Sequence, residues 1–368
     1  MSNLIENGRL IAFHPGYYVK EYLEHQNMTQ AELAKRLQIS EKDVSKLVNG
    51  KKNLDEKLID NLAIALGTSR ESWENLDKKY KIVKRQIEEE NKIERDKLIQ
   101  KNMDYSFWKK LGVVKDTKDA SEQVKELRKF LKIVSLEVLK TDNFLVQYKT
   151  AVKNIDDKNI INANAWVQTA LNIGNVKIVE SIDLNYLKSK LPDIRNMTVK
   201  DPQIFLPELR RIFEKSGVAF VLLPNLKNSG INGAVKWLGD DKVLLAMNNR
   251  RKYADTFWFA LFHEIKHVFQ QKKGHIIISG DNESVLDSKI DMLRLENEAD
   301  NFAQEILIPS EEYNSFLKKE DFSFDSIEEF SRKINIQPGI VVGRLQRDKY
   351  VDYGSSLNKL KVKYIISR

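Results

Sequence analysis

The period of the apolar residues changes part-way along this chain, and that change limits the folds open to it. From Pro15 to about Leu191 apolar residues recur at helical spacing; after Phe205 they gather into the short runs VAFVLLP, GAVKWLG and KVLLAMN, which read as strands. A chain of 368 residues, 42% of them apolar, is long enough for two or three cores. The expected fold class is therefore multidomain: an all-α N-terminal domain, a helical middle region, and an α+β domain with a small twisted sheet.

Within the helical part, Pro15 to Leu76 breaks into short blocks, as in a compact bundle of several helices. Asp77 to Gln100 is charge-dense with few apolar residues and reads as an exposed connecting helix. Between Tyr105 and Leu191 the plausible core positions include Phe107, Trp108, Leu127, Leu131, Val134 and Trp166. LPELRRIFEKSG reads as one helix ending at Gly217, and Thr256–Phe269 and Leu293–Leu307 as two more, the second closed by Pro309.

Composition removes several kinds of chemistry. With no cysteine there is neither a disulfide nor a thiol nucleophile, and a metal site must use histidine and carboxylate. The N-terminus lacks a signal-peptide pattern and no apolar run reaches the roughly 18 residues of a membrane span, so a soluble, cytoplasmic protein with no membrane partner is expected. The net charge of +8 does not by itself argue for nucleic acid, because residues 1–80 hold equal numbers of Lys/Arg and Asp/Glu.

The argument for DNA is local. In TQAELAKRLQISEKDVSKLVNG, Leu33, Ala34 and Leu37 share one face of a first helix, Ile39 plugs a turn, Ser40 can cap a second helix, and Val44, Leu47 and Val48 face back. Two short helices locked this way leave the outer face of the second free for a major groove. The expected DNA contacts there are Ser40, Lys42, Asp43, Ser45, Lys46 and Asn49, with Gln30, Lys51 and Lys52 toward backbone phosphate. Glu41 and Asp43 favour the plainer reading of a tight helical pair, although an acid can still accept from a cytosine amino group.

A second constellation is His263-Glu264-Ile265-Lys266-His267. Four positions on a helix turn through about 400°, so the two imidazoles emerge on one face, one turn apart, as a tetrahedral ion requires. Glu264 lies about 100° round from His263, badly placed to ligate and well placed to accept a proton from water activated by the ion. The expected cofactor is Zn2+, with Glu264 catalytic. The next helix, ENEADNFAQEILIP, offers the third ligand: Glu298 is the expected one, with Glu296 and Asp300 as alternatives. A fourth position would stay open, as in a catalytic site. His275 could line the site or be a loop histidine without a role, and His14 and His25 read as surface or packing residues.

These residues resemble two known families. HPGYYVKEYLEHQNMTQAELAKRLQIS with NGKKNLDEKLIDNLAIALGTSRESWENL resembles the HigA-type antitoxin branch of the Xre (Cro/C1-type) helix-turn-helix proteins. WFALFHEIKHVFQ with ENEADNFAQEILIP resembles the ImmA/IrrE metallopeptidases, and the tail INIQPGIVVGRLQRDKYVDY is similar to the C-terminus of proteins that fuse the two. The resemblance implies a bacterial or phage transcriptional regulator, a homodimer on operator DNA, with a zinc peptidase whose relatives cleave helix-turn-helix repressors. Carried over, His263, His267 and Glu298 match the metal ligands and Glu264 the catalytic glutamate. Lys266 replaces a usual glycine, Gln271 stands where relatives often have histidine, and Gln38 occupies a turn position usually held by glycine. A positive φ at Gln38 would cost on the order of 1 kcal/mol.

The expected domains are a helix-turn-helix domain at 1–80, the charged connecting helix at 81–104, the helical middle region at 105–195, a zincin-like metallopeptidase domain at 196–312, and a C-terminal helical segment at 313–368 packed on it. Ile327–Arg347 has helix-turn-helix-like spacing of its own, with Ile336 at the turn. Two functions follow. One is a regulator that cleaves a protein substrate, such as a helix-turn-helix repressor or partner. The other is an antitoxin-type repressor that binds a cognate toxin and keeps the peptidase fold as scaffold or sensor.

Overall fold

The computed structural model describes residues 3–141, 156–175, 180–250, 252–271, 276–280 and 289–364, with backbone only for 276–280 and 289–293. His275 lies outside the described residues. The chain divides into two compact units, Met1–Leu98 and Ile99–Arg368.

The first unit begins with an antiparallel pair, β1 (Leu4–Glu6) and β2 (Ile11–Phe13), so it is not all-α as expected. The turn between them has Gly8 at φ +82°, and the Asn7 side chain accepts from the backbone of Arg9 and Leu10. Asn7-Gly8, here between Glu6 and Arg9, is a turn dipeptide typical of hairpins. Five helices follow: α1 (Pro15–His25), α2 (Gln30–Leu37), α3 (Glu41–Val48), α4 (Glu56–Leu66) and α5 (Arg70–Gln100). Thr29, Ser40 and Asp55 each cap the following helix by accepting from a backbone N–H three residues on. Gly67, at φ +66°, ends α4. The core joins Val19 and Leu23 of α1 to Leu33, Leu37, Val44, Leu47, Leu62 and Trp73.

No connecting helix separate from this bundle exists: α5 runs unbroken through the expected boundary at residue 80. Nor is that stretch simply exposed, because β2 and β1 cover it, with Ala12, Tyr80 and Ile87 in one cluster beside Ile5, Leu10 and Val83. Ile82, by contrast, is exposed.

The second unit opens with α6 (Tyr105–Leu111), α7 (Ala120–Leu131), a 3-10 turn at Leu136–Lys140, α8 (Asp157–Asn175), α9 (Leu184–Ser189), α10 (Leu191–Asn196) and α11 (Pro202–Lys215). Next come β3 (Val218–Leu223), β4 (Ile231–Trp237), β5 (Val243–Asn248), α12 (Ala254–Phe269), β6 (Ile276–Gly280) and α13 (Lys289–Leu307). Helices α14 (Ser310–Leu317), α15 (Phe324–Lys333) and α16 (Pro338–Arg347) precede a closing 3-10 turn.

The sheet order is β3-β5-β4-β6, with β3 parallel to β5 and the other pairs antiparallel. Strands β3 and β5 are buried on both faces, which explains their near-continuous apolar sequence. Val218, Phe220, Leu245 and Met247 join a core with Leu209 and Phe213 of α11 and Trp258 and Phe262 of α12. The alternate residues meet α8, where a methyl at Gly174 would collide with Leu244.

The middle region is therefore one layer of this unit rather than a domain of its own. Helix α8 is buried almost all round, and such a helix must be covered on several sides. Trp166 donates to the Pro224 carbonyl at 3.1 Å beside the sheet, and Trp108 of α6 donates to Thr169 at 2.9 Å. Val134, taken as a core position from spacing, is 88% exposed after α7 ends. The tail packs within the same unit: Ile327, Ile340, Val341 and Leu345 belong to the core that contains Trp258. Among the described residues no helix is long and apolar enough to cross a membrane.

Candidate functional site

Helix α12 carries His263, Glu264 and His267, all three buried. Its rear residues Phe257, Trp258, Leu261, Phe262 and Ile265 are locked in the core, and Trp258 donates to the Tyr364 hydroxyl at 2.7 Å. The helix is held, so the direction of its histidines is fixed by packing rather than by the histidines themselves.

Opposite stands α13, and the carboxylate that reaches across from it is Glu296. Its two oxygens lie 3.2 Å from His263 Nε2 and 3.2 Å from His267 Nε2. These three residues form the one group among the described residues whose donor atoms could hold a metal ion, all within 4.8 Å of one another. Glu296, one of the two alternatives, thus stands where Glu298 was expected. Glu298 is two positions on, about 200° round the helix, and pairs instead with Arg294 at 3.2 Å and Lys266 at 3.8 Å. Asp300, one turn after Glu296 on the same face, accepts from His263 Nδ1 at 2.9 Å.

The outer nitrogens of both histidines are thus engaged. Gln270 donates through Nε2 to the Leu295 carbonyl at 2.9 Å, which turns its Oε1 toward His267 Nδ1 at 2.7 Å. Asp300 and Gln270 Oε1 are acceptors, so each Nδ1 carries the proton and each Nε2 presents a lone pair. The two Nε2 atoms are 3.0 Å apart and share the space with a carboxylate. Two lone pairs and an anion at one point call for a cation. Without a metal the need falls on a proton: burial opposes charge on His263, but hydrogen bonds to Asp300 and Glu296 overcome it and push the pKa up to about 10. Burial likewise opposes ionisation of Glu296, but the two histidines hold it down at about 2.

Glu264 lies against β4, and its charge still acts on His263. Its carboxylate occupies the space where Gly233 has no side chain; a methyl there would overlap the carboxylate. Asn232 makes a bulge beside it, where Ile231 pairs with Gly280 and Gly233 with Ser279. The sequence reading missed Gly233, Gln270 and Arg347. Gln270 is three positions past His267, which places it within reach, whereas nothing local marks Gly233. Arg347 of α16 donates to Asp300 at 2.7 Å and lies over the Phe259 ring at 4.7 Å. Gln271, one of the departures from the metallopeptidase pattern, lies beyond the helix end with φ +50°.

In the first unit, α2 and α3 bury Leu33, Ala34, Leu37, Val44, Leu47 and Val48, as the spacing required. Gln38 does adopt positive φ, at +54°. Gly16 lets the start of α1 approach the Leu47 carbonyl of α3. Of the expected contact residues, Gln30, Ser40, Lys42, Lys46, Asn49 and Lys51 are exposed, and Asp43, Ser45 and Lys52 are half-buried. Four of these are already committed within the protein, Asn49 by donating from its side chain to the Ser45 carbonyl at 2.7 Å. Ser40 caps α3 through the Asp43 N–H and donates to the Asp43 carboxylate at 2.7 Å, and Lys52 pairs with Asp43 at 3.2 Å. The Ser40 hydrogen bond and then Lys52 hold Asp43 below its usual pKa. Asp43 thus organises the start of α3 and screens Lys52, while Lys42, Lys46 and Lys51 carry the positive charge outward.

Residues 19–73 match the helix-turn-helix family HTH_3, over α1 to the beginning of α5. The N-terminal unit therefore carries a helix-turn-helix domain. A solved addiction-module antidote protein of the HigA family from Coxiella burnetii is similar at 30% identity, covering 23% of this chain and 94% of that one, with a TM-score of 0.21. No curated protein sequence matches the chain.

Proposed function

We propose that the protein is a DNA-binding transcriptional regulator with a zinc-dependent peptidase site in its second unit. The double-stranded operator is met by α3, and the protein substrate, such as a helix-turn-helix repressor or a partner, by the metal site. The observation that carries the peptidase reading is the convergence of His263 Nε2, His267 Nε2 and the Glu296 carboxylate with both Nδ1 atoms already satisfied.

The donor set fits zinc: two imidazoles and one carboxylate, with a fourth direction left for water or substrate. When bound there, zinc polarises a scissile carbonyl and makes water acidic enough to attack near neutral pH. Glu264 accepts the proton and returns it to the leaving amine. Asp300 and Gln270 orient the imidazoles, and Gly233 leaves Glu264 its position. The ImmA/IrrE-like motifs of the sequence support the same reading, with the third ligand moved to Glu296.

A second reading has one observation in its favour: Glu264 and His267 are completely buried. A closed site suits an antitoxin-type repressor that binds a cognate toxin and uses the peptidase-like unit as scaffold or sensor. The two readings separate on one experiment. Wild type and Glu264→Gln are loaded with zinc and incubated with candidate repressors. Zinc-dependent cleavage lost in Glu264→Gln supports the peptidase, and repression and toxin binding that persist after His263→Ala/His267→Ala support the scaffold. Failure of the protein to take up about one equivalent of zinc would remove the peptidase reading.

A further inference from the structure

Between α12, α13 and α16 lies a cavity of about 420 Å³ that includes none of the metal-site donors. Its volume is in the range of small-molecule sites. Phe259, Leu307, Ile308 and Ile340 make its wall apolar. Its charged lining is unbalanced, with Arg344, Arg347 and Lys361 against the single carboxylate of Asp255. Lys361 and Asp255 pair with each other at 2.7 Å, so what remains in the lining is the two arginines, each held by a carboxylate that lies outside it.

Each arginine is engaged through one nitrogen only among the described residues: Arg344 Nε to Asp348 at 2.7 Å and Arg347 Nη2 to Asp300 at 2.7 Å. A guanidinium offers five N–H donors in a fork that matches a carboxylate, so both keep donors in hand. They are three positions apart on α16, hence neighbours on one face. The Arg344 guanidinium lies over the Tyr313 ring at 4.9 Å and that of Arg347 over the Phe259 ring at 4.7 Å, which restrains both.

We propose that this cavity binds a small organic acid, its apolar body against Phe259, Leu307 and Ile340 and its carboxylate on Arg344 and Arg347, and that binding is coupled to the metal cluster. The link runs from Arg347 to Asp300 and from Asp300 to His263. A ligand carboxylate on the spare donors of Arg347 shares the positive charge that otherwise faces Asp300 alone. Asp300 then pulls harder on the His263 Nδ1–H and makes Nε2 a better donor. The ligand therefore tightens metal binding, and by linkage the metal tightens ligand binding by the same factor. Only this coupling rests on the metal reading; the cavity does not.

The test is calorimetric titration of the metal-free full chain with octanoate, octanol and octylammonium, which share a tail and differ in head group. Octanoate is expected to bind at least about tenfold more tightly than octanol, and octylammonium not at all. Arg344→Gln and Arg347→Gln should each remove most of the octanoate advantage and leave octanol binding as it was. Gln304→Trp, at a half-exposed wall position, should exclude both ligands without touching the charges. Thermal melting of each variant reports whether it is folded. Octanoate binding no tighter than octanol, or indifferent to both arginine variants, overturns the site. Repeating the octanoate titration with zinc-loaded protein should tighten it about fivefold, at the low end of allosteric couplings; an unchanged or weaker affinity overturns the link. A chain that takes up no zinc fails the metal reading, and the metal-free titration still decides the cavity.

Discussion

Glu296 and Glu298 stand two positions apart on α13 and have opposite fates, one between two imidazoles and the other between Arg294 and Lys266. Glu296→Gln is therefore expected to lower zinc affinity by at least about a hundredfold, and Glu298→Gln to leave it within a few-fold, by competition against a chromophoric chelator. Asp300→Asn leaves the three donors in place but weakens the acceptor behind His263 and its pair with Arg347, and should cost about 10- to 100-fold in affinity. His14 gives the residue scale a pH prediction in the other unit. It is buried, its Nδ1 accepts from the Gly16 N–H at 2.9 Å to cap α1, and burial, partly opposed by Asp77, lowers its pKa below 6.5. A base whose folded pKa is lowered must bind more protons unfolded than folded, so the stability it contributes is present above about pH 6.5 and is lost as the pH falls below that. Denaturant melts of wild type and His14→Asn between pH 5 and pH 7.5 should show a steeper acid-side loss for wild type; equal slopes would remove His14 from the account.

The two histidines and Glu264 were legible in sequence because their spacing falls within one helix turn, where geometry is set locally. The carboxylate that joins them was not. Which of three carboxylates on α13 faces α12 depends on how the two helices are rotated against each other, and that rotation is set by Ala299, Ala303 and Leu307 packing into the core. At the scale of elements the same contrast recurs. Ser40 could be named as a cap from its place before an apolar-periodic run, and Ser40→Ala is expected to destabilise the first unit by about 1 kcal/mol in chemical denaturation. Gly233 could not be named, since its role appears only where β4 passes under α12. Gly233→Ala should keep the zinc content and lower zinc-dependent cleavage at least about tenfold, because Glu264 must leave its place; loss of zinc instead would assign the glycine to the fold. On α3 the exposed Lys46 and, after it, Lys51 are the residues to test against operator DNA. Each replaced by Ala should reduce the slope of log affinity against log salt by about 1 if it touches phosphate.

At the scale of the whole molecule the chain is two units with separate cores, and calorimetry is expected to resolve two transitions. The proposed zinc site lies in the second unit, so added zinc should raise the transition that belongs to that unit and leave the other within a degree or so. Movement of both transitions together would mean that the units unfold as one. The amino-acid sequence by itself determined the helix-turn-helix, the strand-forming runs of the sheet, the pair of histidines on one face of one helix and the glutamate beside them, because each is governed by periods of two or about four residues. Only the tertiary structure decided that the middle helices are a layer of the second unit, that Glu296 rather than Glu298 completes the donor set, and that Arg347, fifty-one positions after Glu296, stands behind His263. Those depend on which faces meet when distant segments pack, and apolar burial rewards any well-fitting partner without recording in the local sequence which one it is.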